Sequence, residues 1–242
     1  EWIFGSFGGS EENLYYYSYF AYVAYDGGSS FCRTYGSCIS KDLYDQIPET
    51  DIRKGMFLRP TSDTQYSHSN GQITDTALIK EYQAKYPTLT EAHKLYAYHQ
   101  FKVSVAGTPG IGYLNHIRTA EMMLILAEAN YHLGNEEAAR TYLNKLTRDS
   151  GRDTEYNCTA TGETLLKEIK KYWGIEMYLE GFDWFNKKRW NETLTRTSFS
   201  DGGNFHDAMT LERDPSFGNR WTYVTPQCET QYNKALQSES EE

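Results

Sequence analysis

The sequence predicts a mainly α fold in which a helical hairpin packs with irregular, loop-rich and short-strand segments. Three observations lead there. Between Asn115 and Leu146 small and apolar residues recur every three to four positions, the spacing that gathers them on one face of a helix. A second stripe of that kind begins after Glu163. The segments before and after are rich in Gly, Tyr, Asp and Ser and keep no helical period, which marks turns, loops and short strands.

Taken in order, Trp2 to Phe4 reads as a short strand, followed by Gly- and Tyr-rich stretches as far as Tyr35. Ser40 opens a short helix that stops before Pro48, because proline lacks the N–H a helix needs and restricts the residue before it. TSDTQYSHSNGQITDT, Thr61 to Thr76, is polar and rich in turn residues, hence a surface loop. The stretch from there to Gly112 fits no single pattern. Ala120, Leu124, Ala127 and Tyr131 then mark a helix that begins near Asn115 and runs to Leu133, with Gly134 as its stop. Asn135 caps the next helix, Glu136 and Glu137 suit its positive end, and Ala139, Tyr142, Leu143 and Leu146 line one face. Ala127, Gly134, Ala138 and Tyr142 resemble a tetratricopeptide repeat, in which small residues let two antiparallel helices approach. A third helix is predicted from Glu163 to Glu180, with Leu166, Ile169, Trp173 and Met177 buried and Gly181 at its end. From Asp201 the chain is loop-rich, and its last residues, SESEE, read as disordered.

Composition excludes several functions. The 242 residues suffice for one domain with a substantial core. A formal net charge of -9 and a pI near 5.2 argue against nucleic acid, whose binding needs clustered cations. The longest apolar run, MMLILA at Met122 to Ala127, is far short of the roughly 20 residues a transmembrane helix requires. EWIFGSFGG has no signal-peptide pattern and no initial Met, so a processed chain or a fragment is expected. Cys32 and Cys38 are close enough to bridge in an oxidising compartment, worth roughly 2 kcal/mol, or to remain thiols. No spacing suits zinc. DGGNFHD, Asp201 to Asp207, offers oxygen ligands without EF-hand spacing and reads as a plain loop.

Two stretches stand out chemically. NLYYYSYFAYVAYDGG holds many of the 21 tyrosines, a residue with a flat apolar face and a hydroxyl that can stay wet. YLEGFDWFNKKRW, Tyr178 to Trp190, interleaves five aromatic residues with charges, as a structural clamp or a binding platform would. Glu176 and Glu180 form the one carboxylate pair with a glycosidase-like look, although such an i, i+4 pair beside Lys and Arg is an ion-paired face in most helices. No G-x-S-x-G or H-E-x-x-H occurs.

The order of these pieces resembles the SusD/RagB family of outer-membrane nutrient-binding lipoproteins, specifically its C-terminal half. The resembling residues are Glu1, Ile3 and Phe4, then Asp51-Ile-Arg53, the hairpin IRTAEMMLILAEANYHLGNEEAARTYLNKLTRDSG, YLEGFDWFNKKRW, and the terminal VTPQCETQYNKAL. Where that family usually carries Glu-Arg-Arg before the second motif, this chain has Tyr172, Trp173 and Gly174, and Asn186 replaces the usual Asp. Aromatic packing is therefore expected in place of a local ion-pair network.

The resemblance implies a SusD-like fold with a tetratricopeptide-type hairpin, divided here into a loop-rich, Tyr-rich ligand-facing part (1–112), the hairpin with third helix and clamp (113–192), and a loop-rich tail (193–242). It implies capture of an oligosaccharide or polysaccharide, or alternatively a peptide, and delivery to a TonB-dependent transporter. The location would be the outer membrane at the cell surface, with a lipid anchor on an N-terminal region absent from this chain. No catalysis and no cofactor are implied. The candidate ligand residues are Tyr15, Tyr16, Tyr19, Tyr22, Tyr25 and Tyr35. The clamp comprises Glu176, Glu180, Trp184, Arg189 and Trp190, with Arg189 expected to reach back to the two carboxylates and both tryptophans expected to be buried. The competing readings are a helical-repeat scaffold without a small-molecule site and a glycoside hydrolase. Met122 to Leu126, consecutively apolar, give the first hairpin helix more than one apolar face, so a missing N-terminal helical-repeat half is expected to cover it.

Overall fold

The computed structural model describes residues 2–7, 19–105 and 113–215. Among these the chain is mainly helical. Strand β1 (Trp2–Phe7) pairs antiparallel with β2 (Tyr113–Arg118), with Gly5 opposite Asn115 and an irregular register around Phe4. The helix predicted from Asn115 therefore begins later, because Tyr113 to Arg118 are claimed by this non-local ladder. Helix α5 (Thr119–His132) follows directly, and α6 (Glu136–Asn144) returns along it. Gly134 takes φ +77 in the connection, and the Asn135 side chain caps α6 by accepting from the Ala138 N–H. Ala120, Leu124 and Ala127 of α5 meet Ala139 and Leu143 of α6 and Leu146 beyond it, all buried.

The third helix, α7 (Gly162–Glu176), lies on this pair. It ends at Glu176 rather than Glu180. Leu165, not Leu166, joins Ile169, Tyr172, Trp173 and Ile175 in the core. Gly181, at φ 86, starts α8 (Phe182–Arg189) instead of simply stopping α7. Only a residue without Cβ adopts that backbone freely.

Upstream lie α1 (Tyr19–Val23), α2 (Ser30–Thr34), α3 (Lys41–Asp45) and α4 (Thr76–Lys85). Ser40 caps α3 through its hydroxyl, as its position before the helix predicted. Helix α3 packs on α7, where Gly174 leaves room for Leu43. Tyr25, Leu58, Ile73, Leu78, Tyr82, Leu89, Leu95 and Phe101 form a second buried cluster, joined to the first through Tyr98. Within it Phe101 stacks on Tyr86 at 4.1 Å and on His99 at 5.5 Å.

After α8, β3 (Leu194–Arg196) pairs with β4 (Leu211–Arg213). Asn204 ties the intervening loop back to α3: its amide donates to the Ile39 carbonyl at 2.7 Å and its oxygen accepts from the Lys41 N–H at 2.9 Å. SESEE and the terminal VTPQCETQYNKAL lie outside the described residues. Cys32, Cys38 and Cys158 are free thiols. Cys32 is used locally instead, its Sγ 2.9 Å from the Ala21 carbonyl oxygen. Among the described residues no helix is long and apolar enough to cross a membrane.

Candidate ligand-binding surface and its supporting clamp

Helices α1 and α2 present three neighbouring rings to solvent. Tyr22 is 44% exposed, Phe31 43% and Tyr35 59%. Their centroids are 5.1 Å apart from Tyr22 to Phe31 and 5.3 Å from Phe31 to Tyr35. Phe31 and Tyr35 stand one helical turn apart, so α2 itself sets that spacing. Such a row offers apolar faces to the C–H face of a ligand, while the two tyrosine hydroxyls remain available to water or to hydroxyl groups.

The row rests on a well-bonded base. Ser29 caps α2 by accepting from the Cys32 N–H at 3.1 Å and donates to the Ala21 carbonyl at 2.7 Å, which holds α1 against α2. The segment 93–103 braces both: His93 Nε2 meets the Gly27 carbonyl at 3.1 Å, Tyr96 donates to the Thr34 carbonyl at 2.5 Å, and Gln100 donates to the Val23 carbonyl at 2.7 Å. Gly36 lets the chain after Tyr35 pass against the buried His99 ring, where a Cβ would collide.

The other predicted ligand tyrosines divide. Tyr25 is buried, edge-on to Tyr86 and Phe101, and serves the second core. Tyr19 is half-buried and donates to the Leu179 carbonyl at 2.6 Å, which holds its hydroxyl away from a ligand; burial, with the Glu180 charge adding, pushes its pKa up to about 12. Tyr15 and Tyr16 lie outside the described residues. Phe31 was missed, although its i, i+4 spacing from Tyr35 was a usable signal.

The clamp is present with different partners. Arg189 does not reach Glu176 or Glu180. It forks onto Glu128 of α5, with its Nη2 2.7 Å from Oε2 and its Nη1 bonded to Oε1. Trp190 donates to the same carboxylate at 2.7 Å and Trp173 at 3.0 Å. Burial raises the Glu128 pKa, but these donors outweigh it and the carboxyl ends below its ordinary value. Arg189 also lies 4.6 Å over the Trp190 ring. Thus α8 folds back and staples α5 to α7. Trp184 is not buried as expected but 40% exposed, because α8 directs its Arg189–Trp190 end at the core.

Glu176 and Glu180 anchor a second network. Buried Glu176 accepts from Arg53 at 2.8 Å, Arg118 at 3.0 Å and Arg152 at 2.9 Å. Asp51 holds Arg53 from the other side at 2.5 Å. Glu180 takes Arg118 at 2.7 Å and Lys102 at 2.5 Å. Lys102 further donates to the carbonyls of Glu176 and Tyr178, both at 2.8 Å. Burial alone would raise the Glu176 pKa, yet the Arg152, Arg53 and Arg118 charges bring it down to about 2. A carboxyl so held cannot deliver a proton near neutrality, so Glu176 is not suited to be a glycosidase acid, and Glu180 is committed to Arg118 and Lys102. The expected replacement of ions by aromatic packing is half right. Tyr172 and Trp173 are buried as aromatic packing, while Arg53, Arg118 and Arg152 supply an ion network from distant segments.

The SusD family model matches residues 8–237. The chain belongs to the SusD family. Its structure is similar to the crystal structure of a SusD-like carbohydrate binding protein from Bacteroides vulgatus, with 18% sequence identity and a TM-score of 0.61, over 97% of this chain and 48% of that one. At that identity the likeness is one of fold, and this chain spans about half the length of the solved relative. No curated protein matches. Within this SusD fold Asp51-Ile-Arg53 has a structural role: Arg53 reaches Glu176 of α7 from a distant turn, and Asp51 holds the guanidinium in place.

Proposed function

We propose that this chain is the C-terminal half of a cell-surface SusD-family protein that binds a glycan and delivers it to a TonB-dependent outer-membrane transporter. The observation that carries the reading is the solvent-exposed row of Tyr22, Phe31 and Tyr35 on a braced base. Rings with apolar faces and polar tips suit sugars, which present C–H faces and hydroxyl edges together. The net charge of -9 favours a neutral polymer over an anionic one. Family membership and the carbohydrate-binding relative support the ligand class.

In this reading the protein is a binding component without catalysis, anchored by lipid through an N-terminal region beyond this chain. A helical-repeat half also lies there and covers the outer face of α5. Support for the latter comes from Ile125 and Leu126, exposed on α5, from Leu133, exposed just past its end, and from the length of the solved relative. Affinity electrophoresis through gels containing neutral and anionic polysaccharides, with a peptide panel by calorimetry, tests the assignment. Retardation by one neutral glycan is expected. Binding confined to peptides, or to nothing in either panel, contradicts it.

A further inference from the structure

Helix α1 carries Tyr22, the first ring of the aromatic row, yet it is only five residues long. A helix that short does not hold itself in place in water, so the direction in which Tyr22 points is set by what binds α1 from outside. At the C-terminal end the Val23 carbonyl accepts from the Gln100 amide at 2.7 Å. Between the ends the Ala21 carbonyl accepts from the Ser29 hydroxyl, also at 2.7 Å. At the N-terminal end the Tyr19 hydroxyl donates to the Leu179 carbonyl at 2.6 Å, across 160 residues of sequence. Tyr19 and Tyr22 stand three residues apart on one side of α1, so a rotation of the helix about its axis moves both.

The acceptor of the Tyr19 bond is itself fixed. Leu179 takes φ 63, a left-handed backbone that costs a leucine free energy and persists only where the surroundings impose it. Lys102 imposes it here. Its ammonium donates to the Glu176 and Tyr178 carbonyls, both at 2.8 Å, and to the Glu180 carboxylate at 2.5 Å, gripping the chain on either side of Leu179. The Lys102 backbone N–H in turn donates to the Gln100 side-chain oxygen at 2.8 Å. These bonds close a circuit: Gln100 holds one end of α1, and Lys102 holds the turn that receives the other end. We propose that Tyr19 is a positioning residue for the aromatic row, keeping Tyr22 against Phe31 through its bond to the Leu179 carbonyl. The inference rests on the reading of that row as a glycan surface; Tyr19 acts through Tyr22 and does not itself touch the ligand.

Tyr19→Phe removes the hydroxyl, keeps the ring and tests this with two readouts. In the ligand-free protein, nuclear Overhauser contacts between the Tyr22 and Phe31 rings should weaken in the variant. On the neutral polysaccharide that retards the parent, the folded variant should bind about fivefold more weakly, because losing one hydrogen bond of ordinary strength lowers the aligned fraction of the row by about that factor. A role in stability alone would lower the melting temperature and leave the ring contacts and the affinity of the folded protein at their parent values. Unchanged ring contacts, or parent affinity in a folded variant, overturns the inference. A parent that no glycan retards removes the reading of the row as a glycan surface, and the ring contacts then decide by themselves whether Tyr19 positions Tyr22.

Discussion

Replacing Glu176 with glutamine should cost the fold about 3 kcal/mol at neutral pH. The carboxylate is 4% exposed and accepts from three guanidinium groups on three separate segments. Those charges hold its pKa near 2 against a usual 4.5, and at about 1.4 kcal/mol per pH unit the difference corresponds to about 3 kcal/mol in favour of the ionised fold. An independent expectation, about 3 to 5 kcal/mol for removing one partner of a buried ion pair, agrees. Glutamine keeps the shape, so packing changes contribute little. Asp51 would still hold Arg53 and Glu180 would still hold Arg118, which sets the lower end of the range. The pH dependence separates charge from shape. In the unfolded chain this carboxyl takes up its proton near 4.5, whereas in the fold it does so only near 2. Stability from this group is therefore complete above about pH 5 and lost as pH falls towards 2. Urea denaturation of the parent and Glu176→Gln at pH 7 and pH 3 provides the assay. A gap of about 3 kcal/mol at pH 7 that narrows at pH 3 is expected. Equal stability at pH 7, or a gap independent of pH, would refute the reasoning.

Further outcomes follow from the same structure. Burial, with His93 adding, lowers the pKa of His99 from 6.5 to about 4, so its share of stability should disappear as pH falls from 6.5 to 4; His99→Leu should flatten the denaturation midpoint across that window, and an unaltered slope would count against it. Trp190→Ala should lower stability by about 3 kcal/mol through lost packing and the lost bond to Glu128, whereas Trp184→Ala on the exposed side of α8 should change it by under about 1 kcal/mol; thermal melts that rank the two the other way would reverse the clamp assignment. Serine at both Ile125 and Leu126 should leave the melt of this chain nearly unchanged and reduce hydrophobic dye binding, because both side chains are exposed on α5; a large drop in melting temperature would mean that this face is already packed.

Where local rules govern, the sequence was legible. Gly134 and Asn135 mark the α5–α6 turn because a left-handed residue and a side-chain cap are needed at adjacent positions, and both sit there. Ser40 marks α3 for the same reason. The errors come from long-range pairing. Leu114 to Arg118 carry enough apolar character to extend the helix backward, but β1, more than a hundred residues earlier, takes them as a strand. The sequence pairs Arg189 with Glu176 and Glu180, just across the Gly181 turn, whereas its partner Glu128 stands 61 residues away. The same limit applies to the tyrosines. Tyr22 and Tyr25 are three residues apart with similar neighbours in sequence, yet Tyr25 bonds through its backbone N–H to the Val103 carbonyl and faces the core, while Tyr22 faces solvent. Residue type states that a ring can serve either place; the brace from segment 93–103 decides which.

The most direct test of the proposed glycan surface is retention of the triple variant Tyr22→Ala, Phe31→Ala, Tyr35→Ala on the neutral polysaccharide that retards the parent. All three residues are exposed, so the melting temperature should move little. Truncating aromatic contacts at the centre of a binding surface typically costs more than about 1 kcal/mol each. A folded variant whose affinity falls by at least about tenfold is the predicted result. A folded variant retained as strongly as the parent would contradict the assignment of this row as the ligand-binding surface.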